Sequence, residues 1–589
     1  MKGKGQDDDL RIRPGRIRSR GAGARPKTFF AEVLKAGRKA GFIGPRSRSG
    51  GRVSKHSTFG RGRGAALRSS GLFASTRRVV VKARIARHLG RAFRPAPLAA
   101  HIAYLKRDGV TKDGENARLF DAEGDGADER AFAERCRGDR HHFRFIVSPE
   151  EGVEMTDLKA FTRDLLADME RDLATRLDWV AVEHWNTDNP HVHLLVRGRA
   201  DDGKDLVISR DYITRGMRAR AEDIVTTELG PKSDLQIRSA LESDISAERW
   251  TRLDRAIVRQ ADEPGIIDLR PSPFRLGDPE LRRLMIGRLQ RLERWGLAAP
   301  DGAARWTVAE RAERTLHDLG TRRRTVAMMQ RAMGEEGAHR ALVDYVIYGE
   351  QDRPTVTGRL VGTGMHDELT GEAYAVIDGV DGRIHYVRFP DLDRFEHAPP
   401  TGGIVATRSI GAEGNARSSL VLSVRSDLTL QAQVTAHGAT WLDHQLLVRE
   451  KAPLSEGGFG REVREALRAR VDRLASEGLV RRKGDRVIFA GNLLDTLRRG
   501  ELDAAAAKVA AGTGLEHRAL AEGEYVTGTY RRRLTLASGR FAMIDDGLGF
   551  SLVPWRPALE RELGRHVTGV VRGGGIDWTL SRQRDLGIG

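Results

Sequence analysis

The stretch HWNTDNPHVHLLVRG, residues 184–198, constrains the fold more than any other part of the chain, and it holds three of the seventeen histidines. DWVAVEHW (178–185) and HVHLLVRG (191–198) have strand composition, and NTDNP (186–190) between them is dense in turn formers. Two apolar runs joined in this way predict an antiparallel hairpin. Side chains alternate along a strand, so His191, His193 and Leu195 share a face, and adjacent strands ~4.8 Å apart bring His184 beside the pair. Three imidazoles converging on one point are the donor set of a divalent-metal site with positions open for water or substrate. A single strand histidine is ordinarily a solvated polar residue; three coincident placements argue for ligands. Neutral imidazoles suit Mn²⁺, Zn²⁺, Ni²⁺ or Co²⁺, and Mg²⁺ serves where a substrate phosphate supplies further oxygens. Asn186 and Asp188 in the turn could act as acceptors behind the ligands.

The flanking sequence supplies partners for this hairpin. VVVKARIARH (79–88) is a basic apolar segment, LAAHIAYLKRDG (98–109) predicts a helix ending at Gly109, and HHFRFIVSPE (141–150) predicts a strand. Leu158, Phe161, Leu165, Leu166, Met169 and Leu173 recur at helical spacing, which predicts a long amphipathic helix. RDYITRGMRARAEDIVTTELG (210–230) reads as a closing helix stopped by Gly230. The order β-α-β-β-α predicts an α+β domain with a central antiparallel sheet flanked by helices.

Beyond residue 240 the chain repeats itself. RLQRLERWGLA (288–298) matches RVDRLASEGLV (470–480), and each is followed by a turn, a strand and a helix, the order of a winged-helix-like unit. TVTGRLVG (355–362) pairs with YVTGTYRR (525–532), GEAYAVIDG (371–379) with GRFAMIDDG (539–547), and GGIVATRS (402–409) with HVTGVVRG (566–573). Each set predicts several short strands over a short span, as in a small β-barrel. The expected organisation is a basic arm over 1–70, an α+β domain over 71–235 and a helical, winged-helix-like unit over 236–350. A small β-barrel over 351–412, a linker and second winged-helix-like unit over 413–505, and a second barrel over 506–589 complete it.

Charge narrows the partners. The net charge is +18, but residues 1–100 hold 26 Lys/Arg against 4 Asp/Glu, so the remainder is slightly acidic. The first 70 residues are rich in Gly, Arg, Ser and Pro, a composition that predicts disorder, interrupted by a short helix in FFAEVLKAGRKA. A polyanion is the natural partner, because neutralised phosphates release counterions; no amphipathic apolar stripe accompanies the charge to favour a membrane surface instead. No run of about 18 apolar residues is present, MKGKGQDDDLR lacks the apolar stretch of a secretory signal, and Cys136 is the only cysteine. These features point to a cytoplasmic protein without a disulfide framework.

A three-histidine site does not by itself fix a reaction. Only Tyr104 and Tyr212 are tyrosines before residue 340, and Tyr104 lies in HIAYLKRDG beside Lys106 and Arg107, which could take a phosphate. On periodicity alone Tyr104 reads as a core or interface residue. A tyrosine attacking a metal-polarised phosphodiester would conserve the bond energy in a phosphotyrosyl link.

Taken together, Tyr104 in YLKRDG, the strand HHFRFIVS and the hairpin HWNTDNPHVHLLV resemble the HUH relaxases of conjugative and mobilisable elements, close to the VirD-type (MobP-like) branch, in motifs and in their order. The resemblance covers roughly residues 95–230; the rest resembles the poorly characterised C-terminal extension of that subgroup. It implies an HUH endonuclease domain, Tyr104 as nucleophile, His184, His191 and His193 as ligands of Mg²⁺ or Mn²⁺, and Asp188 as the acidic residue common in the turn. Lys106, Arg107 and His142 would contact DNA. Relatives often carry Asp where Asn186 stands, so that role would pass to Asp188 or Glu183. The implied activity is site- and strand-specific nicking of single-stranded DNA at an origin of transfer. A type IV coupling protein and relaxosome proteins would be its partners, and the enzyme would travel with the DNA to a recipient cell. A rolling-circle replication initiator with the same site, or an inactive DNA-binding regulator, are the alternatives.

Overall fold

In a computed structural model of the chain, described residues are 75–87, 98, 101–102, 105–106, 111–185, 189–262, 265–271, 279–349, 352, 354–367, 369–395, 397–410, 419–449, 453–483, 486–573 and 575–579. The expected basic arm and its short helix lie outside them. The chain divides into two compact units, Met1–Thr321 and Arg322–Gly589. The whole is mixed α+β with several separate sheets.

Unit one begins with β1 (Val79–Arg87), α1 (Glu129–Arg135), β2 (His141–Pro149), α2 (Leu158–Leu173), β3 (Trp179–His184), β4 (His191–Arg197) and α3 (Met217–Leu229). The strands form one sheet in the order β1-β2-β4-β3, antiparallel throughout. Phe143, Phe145, Val147, Val192, Leu194, Val196, Trp179 and Ala181 project from one face into a core with α2 and α3. The apolar stripe of α2 is buried there, each such side chain worth about 1.5–3 kcal/mol. Asp157 starts α2 by accepting from the backbone N–H groups of Lys159 and Ala160, a cap worth about 1 kcal/mol. Because side chains alternate, every second residue of these strands must face the other way. Residues 98, 101, 102, 105 and 106 are helical.

Next come α4 (Asp234–Ser246), α5 (Arg252–Gln260), β5 (Ile266–Asp268), α6 (Pro279–Arg294), β6 (Ala298–Pro300) and β7 (Arg305–Val308), with β5, β7 and β6 in one sheet, and then α7 (Ala312–Met333), within which the division between the units falls. Arg288 of α6 is fully buried. Its Nε and Nη2 donate to the two carboxylate oxygens of Asp254 at 2.8 and 2.9 Å, and its remaining hydrogens reach the carbonyls of Ile245, Ala247 and Arg249. One guanidinium thus satisfies carbonyls at the exposed end of α4, which its positive charge also complements. Asp254 in turn closes a capping box with Thr251 at the start of α5.

Unit two contains β8 (Tyr345–Ile347), β9 (Thr357–Asp367), β10 (Glu372–Gly379), β11 (Ile384–Phe389), β12 (Ile404–Ile410) and β13 (Ser419–Ser426). Then follow α8 (Leu430–Thr435), α9 (Trp441–Leu447), α10 (Gly458–Ser476), β14 (Val480–Lys483), β15 (Arg486–Phe489) and α11 (Leu493–Thr513). The last sheet is built from β16 (Glu516–His517), β17 (Tyr525–Leu536), β18 (Gly539–Asp545), β19 (Gly549–Pro554), β20 (His566–Arg572) and β21 (Gly575–Thr579). Arg470 of α10 repeats the bonds of Arg288: bidentate to Asp443 at 2.8 Å, with further bonds to the carbonyls of Val434, Ala436 and Gly438. Thr440 and Asp443 close the matching capping box. Each guanidinium makes the same set of bonds to the same sequence of groups, so the short matched blocks belong to a duplicated framework.

The duplication extends to the sheets. One runs β13-β12-β9-β10-β11-β8, the other β21-β20-β17-β18-β19-β16, and in each the short end strand (β8, β16) pairs in parallel with the strand beside it. Gly358 and Gly528 occupy matching positions in TVTG and YVTG. A Cβ there would run into the carbonyl oxygen of Asp378 or Asp545, so only glycine allows the strands to approach. Where small barrels were expected, the hydrogen-bonded ladders describe six-stranded sheets whose two end strands are not paired with each other among the described residues.

Candidate metal centre

The register of the first sheet sets the site. His184 lies opposite His191, and Val182 opposite His193, so both strands of the hairpin present imidazoles on the face turned away from α2 and α3. The centroids of His184 and His193 are 4.4 Å apart, those of His191 and His193 4.9 Å, and those of His184 and His191 5.2 Å. One ring nitrogen from each lies within 4.8 Å of the others, and all three residues are buried.

In His184 and His191 one ring nitrogen is held by the backbone. His184 Nε2 lies 2.9 Å from the carbonyl of Leu105, and His191 Nδ1 lies 2.9 Å from that of Asn189. A carbonyl only accepts, so these nitrogens carry the protons and leave His184 Nδ1 and His191 Nε2 with lone pairs. His191 Nε2 and His193 Nε2 approach to 3.1 Å, where two imidazoles share either a proton or a cation. Burial and, secondarily, His191 push the His184 imidazole down to about 4. Burial, followed by its two histidine neighbours, holds His193 well below the ordinary histidine range. Neutral imidazole is the ligating form, so the donor set fits a divalent cation.

The same face continues across β2 and β1 as a basic lane. Lys82, Ile146, His193 and Val182 form one cross-strand row, and Arg84, Arg144, Leu195 and Val180 the next. Arg144 donates from Nε to His142 Nε2 at 3.0 Å, and burial beside Arg84 lowers its guanidinium to about 10. His101 is buried against this face, held well below its usual range by burial and by the charge of Arg144. Sequence reasoning missed Lys82, Arg84, His101 and Arg144. Alternation does signal three of them, since Arg144 shares parity with His142, and Lys82 with Arg84.

The other expected site residues divide. Tyr104, Arg107, Asn186 and Asp188 lie outside the described residues. Lys106 is helical and its ammonium binds Glu129 at 3.0 Å. His142 is buried on the site face, engaged with Arg144 rather than open to solvent. Glu183 does not stand in for a turn carboxylate. One position from His184 on a strand, it projects to the opposite face, where it accepts from the Trp185 indole at 2.8 Å and pairs with Lys159. Tyr212 is buried in the helix-side core, its hydroxyl donating to Asp172 and made harder to ionise by burial. The Cys136 thiol is buried and pushed up to about 12, chiefly by desolvation, so it is not a ready nucleophile.

The chain belongs to DUF3363, a family described as a protein of unknown function, whose model matches residues 285–417 and 407–587. The three-histidine site precedes the matched residues. No curated protein and no solved structure matches the chain. Among the described residues, no helix is long and apolar enough to cross a membrane.

Proposed function

We propose that the chain is a relaxase of the HUH type, which nicks one DNA strand at an origin of transfer. The observation that carries this reading is the convergence of three buried imidazoles, from His184, His191 and His193, on a sheet face that continues as Lys82, Arg84 and Arg144. Such a face takes a phosphodiester by its charge. A bound divalent ion, Mg²⁺ or Mn²⁺ in this reading, would polarise the scissile phosphate.

The chain's own groups carry the remaining roles. Tyr104, by the family resemblance, attacks phosphorus through its phenolic oxygen. The P–O3′ bond breaks, the 3′ oxygen leaves as a hydroxyl with a proton, and the 5′ phosphate stays on the tyrosine for later rejoining. Leu105, beside Tyr104 in sequence, holds His184 through its carbonyl, so the segment bearing the nucleophile is tied to the ligand set. With Tyr212 committed to Asp172, Tyr104 is the tyrosine of unit one left for this task. DNA, a type IV coupling protein and accessory relaxosome proteins are the partners in this reading, and the bacterial cytoplasm is where it acts.

The test is cleavage of single-stranded DNA from the presumed origin by the full chain with Mn²⁺ or Mg²⁺, followed by mass spectrometry of the covalent adduct. Nicking with an adduct at Tyr104, both abolished by Tyr104→Phe, is expected. An adduct that persists in Tyr104→Phe removes the nucleophile assignment. Wild-type protein that nicks no strand with either metal removes the whole reading.

A further inference from the structure

The two copies of the duplicated framework share their buried groups and differ in their surface. The turn-and-strand hairpin that follows Arg288 reads AAPDGAARWTV (298–308), with one acid and one base. Its counterpart after Arg470 reads VRRKGDRVIF (480–489), with four bases and one acid. Ala299, Pro300 and Asp301 of the first correspond to Arg481, Arg482 and Lys483 of the second. The preceding helices do not differ in this sense: α10 has Arg461 and Arg468 where α6 has Pro279 and Ile286, but α6 has Arg283 and Arg294 where α10 has Glu465 and Ser476, so the difference in charge lies in the hairpin. The four basic residues of the hairpin, Arg481, Arg482, Lys483 and Arg486, are exposed. Among the described residues only Arg482 has an ion-pair partner, Asp472 on the outer side of α10, and that contact sets hairpin and helix on one surface.

We infer that the hairpin of the second copy, β14 and β15, is a docking site for duplex DNA, and that the matching hairpin of the first copy is not. The occupant follows from chemistry and shape. Four exposed cations on one short hairpin, of which Arg482 alone is paired among the described residues, against the single acid Asp485, call for a polyanion. A two-stranded β-ribbon fits the major groove, where basic side chains along it reach the flanking phosphates, which suits a duplex. Single strands are held by stacking on aromatic side chains, and the aromatic residues of this element, Phe459 and Phe489, are respectively buried and half-buried. Preserving the buried Arg–Asp frame in both copies while charging one hairpin is the pattern expected when one hairpin binds and the other supports. This inference is independent of the chemistry at the histidines.

The test is fluorescence anisotropy of the full chain on a labelled random-sequence duplex over a range of salt concentrations. The comparison is between wild type and the combined variant Arg481→Ala, Arg482→Ala, Lys483→Ala, Arg486→Ala. The N-terminal arm contributes equally to both, so the difference isolates the hairpin. A plot of log affinity against log salt shallower by about 3 to 4 is expected, at about 0.9 for each phosphate the variant no longer neutralises. A photoreactive residue at position 483 should cross-link to the duplex, and one at position 301 should not. An unchanged salt slope, cross-linking at 301 but not 483, or an equal loss of binding to single strand and duplex would each overturn the inference.

Discussion

Arg470 and Asp443 form a bidentate ion pair with neither side chain exposed, and Arg288 and Asp254 form the same pair in the other copy. Burying two charges costs several kcal/mol per ion unless their hydrogen bonds are complete. Here they are, since each guanidinium also takes three backbone carbonyls and each carboxylate closes a helix cap.

Removing one partner of such a pair strands the other. Asp443→Ala is expected to destabilise the protein by about 3–5 kcal/mol in denaturant titrations. Pairing it with Arg470→Met should recover part of that loss. Recovery stays incomplete, because the carbonyls of Val434, Ala436 and Gly438 then lack their donor. A fully additive double-mutant cycle would show that the two residues do not act as a unit.

The histidine site predicts metal-dependent stability. A ligand that binds only the native state stabilises it by about 2.7 kcal/mol at a hundred times its Kd. Mn²⁺ or Zn²⁺ added to chelator-treated protein should therefore raise the melting temperature. His193→Ala, which removes the imidazole nearest to both others in the cluster, should abolish the rise. An equal rise in that variant would place the ion elsewhere.

Acid should weaken the metal-free fold. The His184 imidazole is depressed to about 4 from an unfolded value near 6.5, so below about 6.5 the unfolded chain binds the proton first. The stability contribution is whole above 6.5, falls as pH drops, and is exhausted near 4, with a slope approaching 1.4 kcal/mol per pH unit for one such group. His101 and His193 are shifted in the same direction and steepen the fall. His184→Gln should flatten the pH profile of unfolding in that window; an unaltered profile would contradict the assignment.

Glu183 tests which face of the sheet is the working one. Glu183→Gln should leave metal affinity at the wild-type level by calorimetry, because its side chain is on the helix side with Trp185 and Lys159. It should cost stability instead, since the ion pair of buried Glu183 with half-buried Lys159 loses its negative charge. A drop in metal affinity without loss of stability would mean that the carboxylate reaches the ligands.

Much of the candidate site was legible from local pattern. Strand alternation puts His191 and His193 on one face, and the turn formers of NTDNP predict His184 beside them, so the three-histidine cluster needed no tertiary knowledge. Alternation also assigns Glu183 to the opposite face from His184, which already argues against its taking the role of a turn carboxylate. The repeat was visible in short matched blocks because their spacing carries the apolar positions of each element.

What the sequence determined by itself was the period of each element, and hence which residues share its face. Tertiary structure decided which faces meet. The order β1-β2-β4-β3 brings Lys82, Arg84 and Arg144 onto the face of the histidines, and no local pattern specifies strand order. The helical segment that contributes His101 and the Leu105 carbonyl covers that face from some 80 residues away. Arg288 and Arg470 look from sequence like ordinary solvated residues of a charged helix. They become interior groups only because distant carbonyls and a carboxylate replace the water each guanidinium gives up.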